Sequence, residues 1–154
     1  MNGNERKTLN DTLKHVGRVQ ELLHKVVERL LARARTHDDT KFQEPEFSSF
    51  VEVSAQLDEV EYGSEEYQDL LDELESALDH HYANQRHQPE QWEDSTDGMD
   101  LLDLIEMLVD WKAASERHED GDVYESIIKN KERFEYTKEL GGILHRTAAN
   151  LFEE

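Results

Sequence analysis

Apolar residues in this chain recur every three or four positions and nowhere alternate, a period that fits helices and leaves no candidate strand. Between Leu9 and Ala34, residues Leu13, Val16, Val19, Leu23, Val26, Val27, Leu30 and Leu31 continue one stripe, so a long amphipathic first helix is expected. Pro45 suits the first turn of a second helix, whose Phe47, Phe50, Val51, Ser54 and Leu57 share a face until Tyr62-Gly63 ends the pattern. Ser64 is the expected N-cap of a third, where Glu65 and Glu66 favour the positive end of the dipole and Tyr67, Leu70, Leu71, Leu74, Leu78 and Tyr82 carry the stripe. Residues 88–98, with Pro89, Ser95, Thr96 and Gly98, form the main irregular connection, and Met99 to Ala114 is again helical. Asp122 with Glu125 resembles a capping box for a fifth helix, and Leu140, Ile143, Leu144, Ala148 and Leu151 mark a sixth. The expected fold is all-α, a single compact bundle of about six helices over residues 1–154, with the polar residues 1–8 as the candidate for disorder.

Composition narrows the function. A chain of 154 residues fits one domain. Hydrophobic content of 36% against 35% charged residues would permit disorder, but the helical periodicity argues for a packed chain. The net charge of −20 and pI of about 4.6 disfavour binding to long nucleic acids, which depends on clustered cations. The absence of cysteine excludes a disulfide framework, a thiolate nucleophile and a Cys-bound zinc. The opening MNGNERK is polar with no apolar stretch behind it, and the most apolar run, Leu101 to Trp111, is interrupted by Asp103, Glu106 and Asp110. No membrane partner is expected, and the reading is a cytoplasmic protein in a reducing compartment, with a homo-oligomer left open.

The chemistry lies in the histidines and acids. Of eight histidines, His24, His118 and His145 read as surface residues. His81 follows Leu78 by three positions and Leu74 by seven, so it faces the core, while His80 points away. The adjacent pair His37-Asp38 offers an imidazole and a hard carboxylate to one divalent ion, a mixed set that suits Mn, Fe, Zn, Ni or Co. Asp103, Glu106 and Asp110 form a stripe opposite Leu101, Leu104, Ile105 and Leu108, which faces either solvent or a metal cleft. Glu106 is the substitute ligand should Asp110 point outward. Trp92 and Trp111 are assigned to packing.

The ordered set His15, His37-Asp38, His80-His81 and Asp110 resembles the HD superfamily of metal-dependent phosphohydrolases, and Lys41 resembles the lysine that follows the HD pair in its cyclic-dinucleotide phosphodiesterase branch. More narrowly, HDDTKF, the run HHYANQRHQPEQW from His80 to Trp92 and EMLVDWKAA from Glu106 to Ala114 are similar to a small uncharacterised HD-like family of bacteria and phages. The resemblance covers residues 15 to 115. It implies one or two divalent transition-metal ions held by His15, His37, Asp38, His80, His81 and Asp110. Asp38 would ligate the ion and orient its water, and Lys41 would neutralise a transferring phosphoryl group or protonate the leaving oxygen. Asn84, Arg86 and His87 are the further substrate contacts, His87 alternatively binding a second ion; Arg33 and Arg35 are candidates for a second phosphate that read better as solubilising charges. The implied activity is hydrolysis of a small nucleotide-like phosphate ester. Two alternatives accompany it: an HD-type di-iron oxygenase, and a non-catalytic acidic protein that mimics DNA. His15 and His37 are 22 positions apart, with neither Gly nor Pro between Arg18 and Thr36. An unbroken helix would hold them about 33 Å apart, so either the first segment bends or breaks, near His24 or around Thr36, or the metal set is built without His15.

Overall fold

The structure, a computed structural model, describes residues 1–57, 69–70, 72, 74–117 and 121–153. The chain divides into two compact units, Met1–Thr36 and His37–Glu154. The first is a single helix, α1 (Gly3–Thr36). It starts well before the apolar pattern because Asn2 and Glu5 cap it reciprocally: the Asn2 amide donates to Glu5 Oε2 at 2.7 Å and the Glu5 amide to Asn2 Oδ1 at 3.0 Å. Residues 3–8 are therefore helical. No break interrupts α1 near His24 or anywhere before Thr36.

The second unit opens with a short 3-10 turn, Asp39–Phe42, followed by α2 (Glu46–Leu57) and α3 (Glu75–Asn84). Two more 3-10 turns, Pro89–Gln91 and Ser95–Gly98, occupy the stretch read as irregular. Then come α4 (Leu101–Ser115), α5 (Val123–Phe134) and α6 (Lys138–Phe152). The described residues contain no strand, so the all-α expectation holds. The starts of α4, α5 and α6 follow side-chain caps. Asp100 accepts from the amides of Leu102 and Asp103 while Asp103 accepts from Asp100, a full capping box; Asp122 caps α5 and Thr137 caps α6. The expected cap at Ser64 with Glu65 and Glu66, the stop at Tyr62-Gly63, and Tyr67, Leu71 and His118 lie outside the described residues. Among those described, no helix is long and apolar enough to cross a membrane.

Helix α4 positions the site because its two faces do different work. One face puts Met107, Leu108 and Trp111 into a core with Val123, Ile127, Tyr136, Leu144 and Ala148 from α5 and α6. Trp111 stacks near Phe134 and Tyr136, with ring centroids 6.3 and 6.4 Å away. The opposite face carries Asp103, Glu106 and Asp110, and it turns toward the segment from His37 to His87 rather than to solvent. Asp103 is fully buried and takes Arg86 on both oxygens, Nε to Oδ1 at 3.0 Å and Nη2 to Oδ2 at 2.9 Å. A smaller cluster of Val53, Leu70 and Leu74, with Phe50 and Leu78 against it, packs α2 beside α3.

Leu108→Ala removes a side chain that is 1% exposed and leaves a cavity between α4 and α5. It should destabilise the fold by about 3 kcal/mol, read by urea unfolding followed through Trp111 fluorescence. A loss well under 1 kcal/mol would show that this core does not form.

Candidate metal centre

Asp38 sits where α1 has ended and the 3-10 turn has not begun, in a left-handed conformation with φ 58° and ψ 18°. Aspartate tolerates that region better than most residues, though still at some cost. The turn aims both carboxylate oxygens into the second unit. Asp38 Oδ1 lies 3.3 Å from His81 Nε2 and 3.5 Å from His87 Nε2, while Oδ2 lies 3.6 Å from His37 Nε2 and 2.6 Å from Lys41 Nζ. From α4, Asp110 approaches His37 Nε2 at 3.5 Å and His87 Nε2 at 4.0 Å. Three imidazoles thus present Nε2 toward two carboxylates.

The outward nitrogens are spoken for by other acids. His81 Nδ1 lies 3.1 Å from Glu46 Oε2, and His37 Nδ1 lies 3.0 Å from Glu106 Oε1, which also stands 3.5 Å from His87 Nδ1. A carboxylate only accepts, so each close Nδ1 carries a proton, and the lone pair lies at Nε2 whenever the ring is neutral. Glu46 is wholly buried at the start of α2. Its Oε1 faces His80 Nδ1 at 2.7 Å and its Oε2 accepts from Thr40 at 3.1 Å, with Gln85 donating in turn to the Thr40 hydroxyl. Burial pushes the Glu46 carboxyl up, but the hydrogen bonds from His80 and Thr40 and the nearby His81 outweigh it and hold it below the usual range. Asp110 is held down in the same way, its burial outweighed by the His37 hydrogen bond and by the His87, His37 and Lys41 charges. For His81, burial and then Lys41 prevail over the neighbouring acids and lower its pKa, so the ring stays neutral.

That arrangement leaves a conflict that a cation resolves. Asp38 Oδ1 and His81 Nε2 are both buried and neither has a hydrogen-bond partner; the same holds for His87 Nδ1. Two acceptors facing each other at 3.3 Å repel unless positive charge lies between them. The spacing is also too long for a good hydrogen bond. It matches ligand-to-ligand edges instead, because donors bound at about 2.1 Å to one ion stand roughly 3.0–3.4 Å apart in octahedral or tetrahedral sets. His37, His87 and Asp110, and likewise Asp38, His81 and His87, have ligand atoms within 4.8 Å of one another. The residues present therefore fit a divalent ion of the mixed nitrogen and oxygen kind.

Not every expected site residue joins this cluster. His15 lies 21 residues before the end of an unbroken α1, roughly 32 Å along its axis, so the donor set is built without it. His80 is half-exposed and grips Glu46, away from Asp38, and so supports a ligand instead of being one. Asn84 is exposed and caps the end of α3 by donating to the His80 carbonyl at 2.7 Å. The Arg86 guanidinium pairs with Asp103 and lies 4.5 Å from the Trp92 ring centre, and so braces the turn that carries His87. His87, expected as a second-metal or phosphate residue, belongs to the central set. Glu46 and Thr40 were not anticipated. Thr40 lies within the quoted HDDTKF, but Glu46 is one of 37 acids and no spacing singles it out.

Residues 4–154 match the model of a family described as "Family of unknown function (DUF5662)". No curated protein and no solved structure matches the chain.

In the metal-free chain the His37 pKa is pushed from its ordinary 6.5 up to about 10, first by the hydrogen bond to Asp110, then by that to Glu106, against the opposing effect of burial. A histidine of this kind stabilises the fold fully below its unfolded pKa and loses that contribution as pH rises through its folded one. Thermal unfolding of the metal-stripped protein should therefore show stability falling between about pH 6.5 and 10, and His37→Gln should flatten the decline. An NMR titration in which His37 loses its proton near 6.5 would contradict this.

Proposed function

The chain belongs to the DUF5662 family, and on the geometry of its site we propose that it is a divalent-metal-dependent phosphohydrolase acting on a small nucleotide-like phosphate ester, a monoester or a diester. The observation that carries the reading is the pair of buried, unpartnered acceptors Asp38 Oδ1 and His81 Nε2, 3.3 Å apart. His37, His81, His87, Asp38 and Asp110 would hold the ion, which when bound lowers the pKa of a water and polarises a phosphoryl oxygen. Both carboxylates that approach His87 do so at Nε2, and one lone pair serves one ion, so the set is read as a single centre. That arrangement favours hydrolysis over the di-iron oxygenase alternative. Two carboxylates balance the charge of one divalent cation.

Lys41 has the position the chemistry needs. Its ammonium is tied to Asp38 Oδ2 at 2.6 Å and about a third exposed, so it borders the cluster while remaining open to solvent. There it can neutralise a phosphoryl oxygen or give a proton to the leaving group. Asp38, sharing its second oxygen between Lys41 and His37, can orient a nucleophilic water. The likeness to the HD superfamily supplies the reaction class, and the substrate class rests on that analogy.

Elemental analysis of the purified chain should find stoichiometric Mn, Fe, Zn, Ni or Co. His37→Ala and Asp38→Ala should each lose metal and hydrolysis of p-nitrophenyl phosphate and its bis ester together, with far-ultraviolet circular dichroism unchanged. Full hydrolysis by either variant overturns the assignment. Oxygen consumption with iron bound would favour the oxygenase, and a metal-free chain that binds a basic protein in a salt-sensitive way would favour the acidic mimic. Glu46→Gln, which keeps shape but removes the charge that orients His81, should weaken metal affinity by about 10–100-fold, measured by competition with a chelating dye. Unchanged affinity would remove Glu46 from the site.

A further inference from the structure

A second site lies between α5 and α6 and shares no residue with the metal cluster. It is a groove of about 550 Å³ floored by Ile127 and Ile128 and by the bare helix surface at Gly141-Gly142, with Lys131, Lys138, Arg146 and His145 around it. No acid lines it, although residues 37–154 contain 33 Asp and Glu against nine Lys and Arg. Elsewhere in that stretch Lys41, Arg86, Lys112, Lys129 and Arg133 each pair with a carboxylate, and Arg117 stands apart with no ion pair among the described residues. Lys131, Lys138 and Arg146 pair with none among the described residues. Three like charges gathered without counter-ions, in a chain so rich in acids, repel one another, and their convergence is explained by an anion that they share. Lys138 adds to the anomaly because it occupies the first position of α6, where the helix dipole disfavours a cation.

The two glycines give the cations their room. A Cβ at Gly142 would come within 3.2 Å of Arg146 Nη1, and one at Gly141 within 3.4 Å of the Tyr136 ring and 3.7 Å of Lys131 Cδ. Glycine weakens a helix interior relative to alanine, so the pair is a local loss of helix stability that clears the surface under Lys131 and Arg146. The volume falls in the range of small-ligand sites. The apolar floor asks for a ring or branched body, and three cations including a forked guanidinium ask for a multiply charged head. We propose that the α5–α6 groove binds a small organic phosphate-type anion, its apolar body seated on Ile127 and Ile128 and its charged group held by Lys131, Lys138 and Arg146.

The test uses the full chain and 1-naphthylmethylphosphonate, which contains no hydrolysable ester, with 1-naphthol and inorganic phosphate as the neutral and headgroup-only arms. Saturable shifts in the Gly141 and Gly142 amides and the Ile127 and Ile128 methyls are expected, weakened by salt and stronger than with either partial probe. Lys131→Gln and Arg146→Gln should each weaken binding about tenfold while leaving the metal content unchanged. Gly142→Ala should raise Tm and weaken binding at once, a combination that a purely structural role for the glycine does not produce. Unsaturable shifts, or equal affinity in the charge-neutral variants, overturns the site. Naphthol binding as tightly as the phosphonate overturns the anionic half, and phosphate binding as tightly overturns the apolar half.

Discussion

A carboxylate removed from water must find donors or opposite charge, and Glu46 meets that demand by dividing its oxygens between His80 on one side and His81 with Thr40 on the other. The arrangement ties the turn after Asp38 to the first turn of α2 and the end of α3. It also decides the chemistry of His81, because a proton fixed at Nδ1 leaves Nε2 free to face Asp38. Glu106 does the same for His37 from α4. Two acids that touch no ion thus set the direction of two imidazoles that would. The left-handed turn at Asp38 is held in place by the same contacts, since Lys41, His37, His81 and His87 all meet its carboxylate.

The helical period made the fold class and most element positions readable, but not every helix phase: Leu108, Leu144 and Ala148 enter the core, while Leu101, Ile143 and Leu151 stay exposed. The start of α1 was not readable from apolar spacing, because it rests on a polar exchange between Asn2 and Glu5. At the site, the pair His37-Asp38 and the inward face of His81 could be picked out from local chemistry and helical phase. His15 could be doubted from its separation alone, and α1 runs unbroken from it to Thr36. The roles of Arg86 and His80 were hidden, because whether a cation or an imidazole meets substrate or a buried acid depends on which acid lies across from it. Asp103 and Glu46 are such acids, and in a chain with 37 of them nothing in the sequence marks these two as fully buried.

The stripe of α4 shows how the ambiguity resolves. Asp103, Glu106 and Asp110 are spaced like an ordinary solvated face, and the bundle could have placed them outward. Because Met107, Leu108 and Trp111 are claimed by α5 and α6, the rotation of α4 about its axis is fixed, and the acids must face the other way. What lies there is the segment from His37 to His87, whose imidazoles and guanidinium are the groups that can accept such neighbours. The apolar core therefore selects the electrostatic partners, although it contributes nothing to the chemistry itself.

Charge at the cluster also sets an order of events. Asp38, Glu46, Glu106 and Asp110 stand together beside Lys41, and a proton on His37 adds positive charge there. An incoming phosphate meets net negative charge at contact range, where the screening that blunts the chain's −20 beyond about 8 Å gives no relief. A divalent ion held by these residues would put two positive charges where the His37 proton put one. In the hydrolytic reading, then, the cation must bind before the anionic substrate, and each tightens the other by the same free energy. The proton on His37 would be the competitor of the ion, because it neutralises the acids that would attract the ion and removes the lone pair that would hold it.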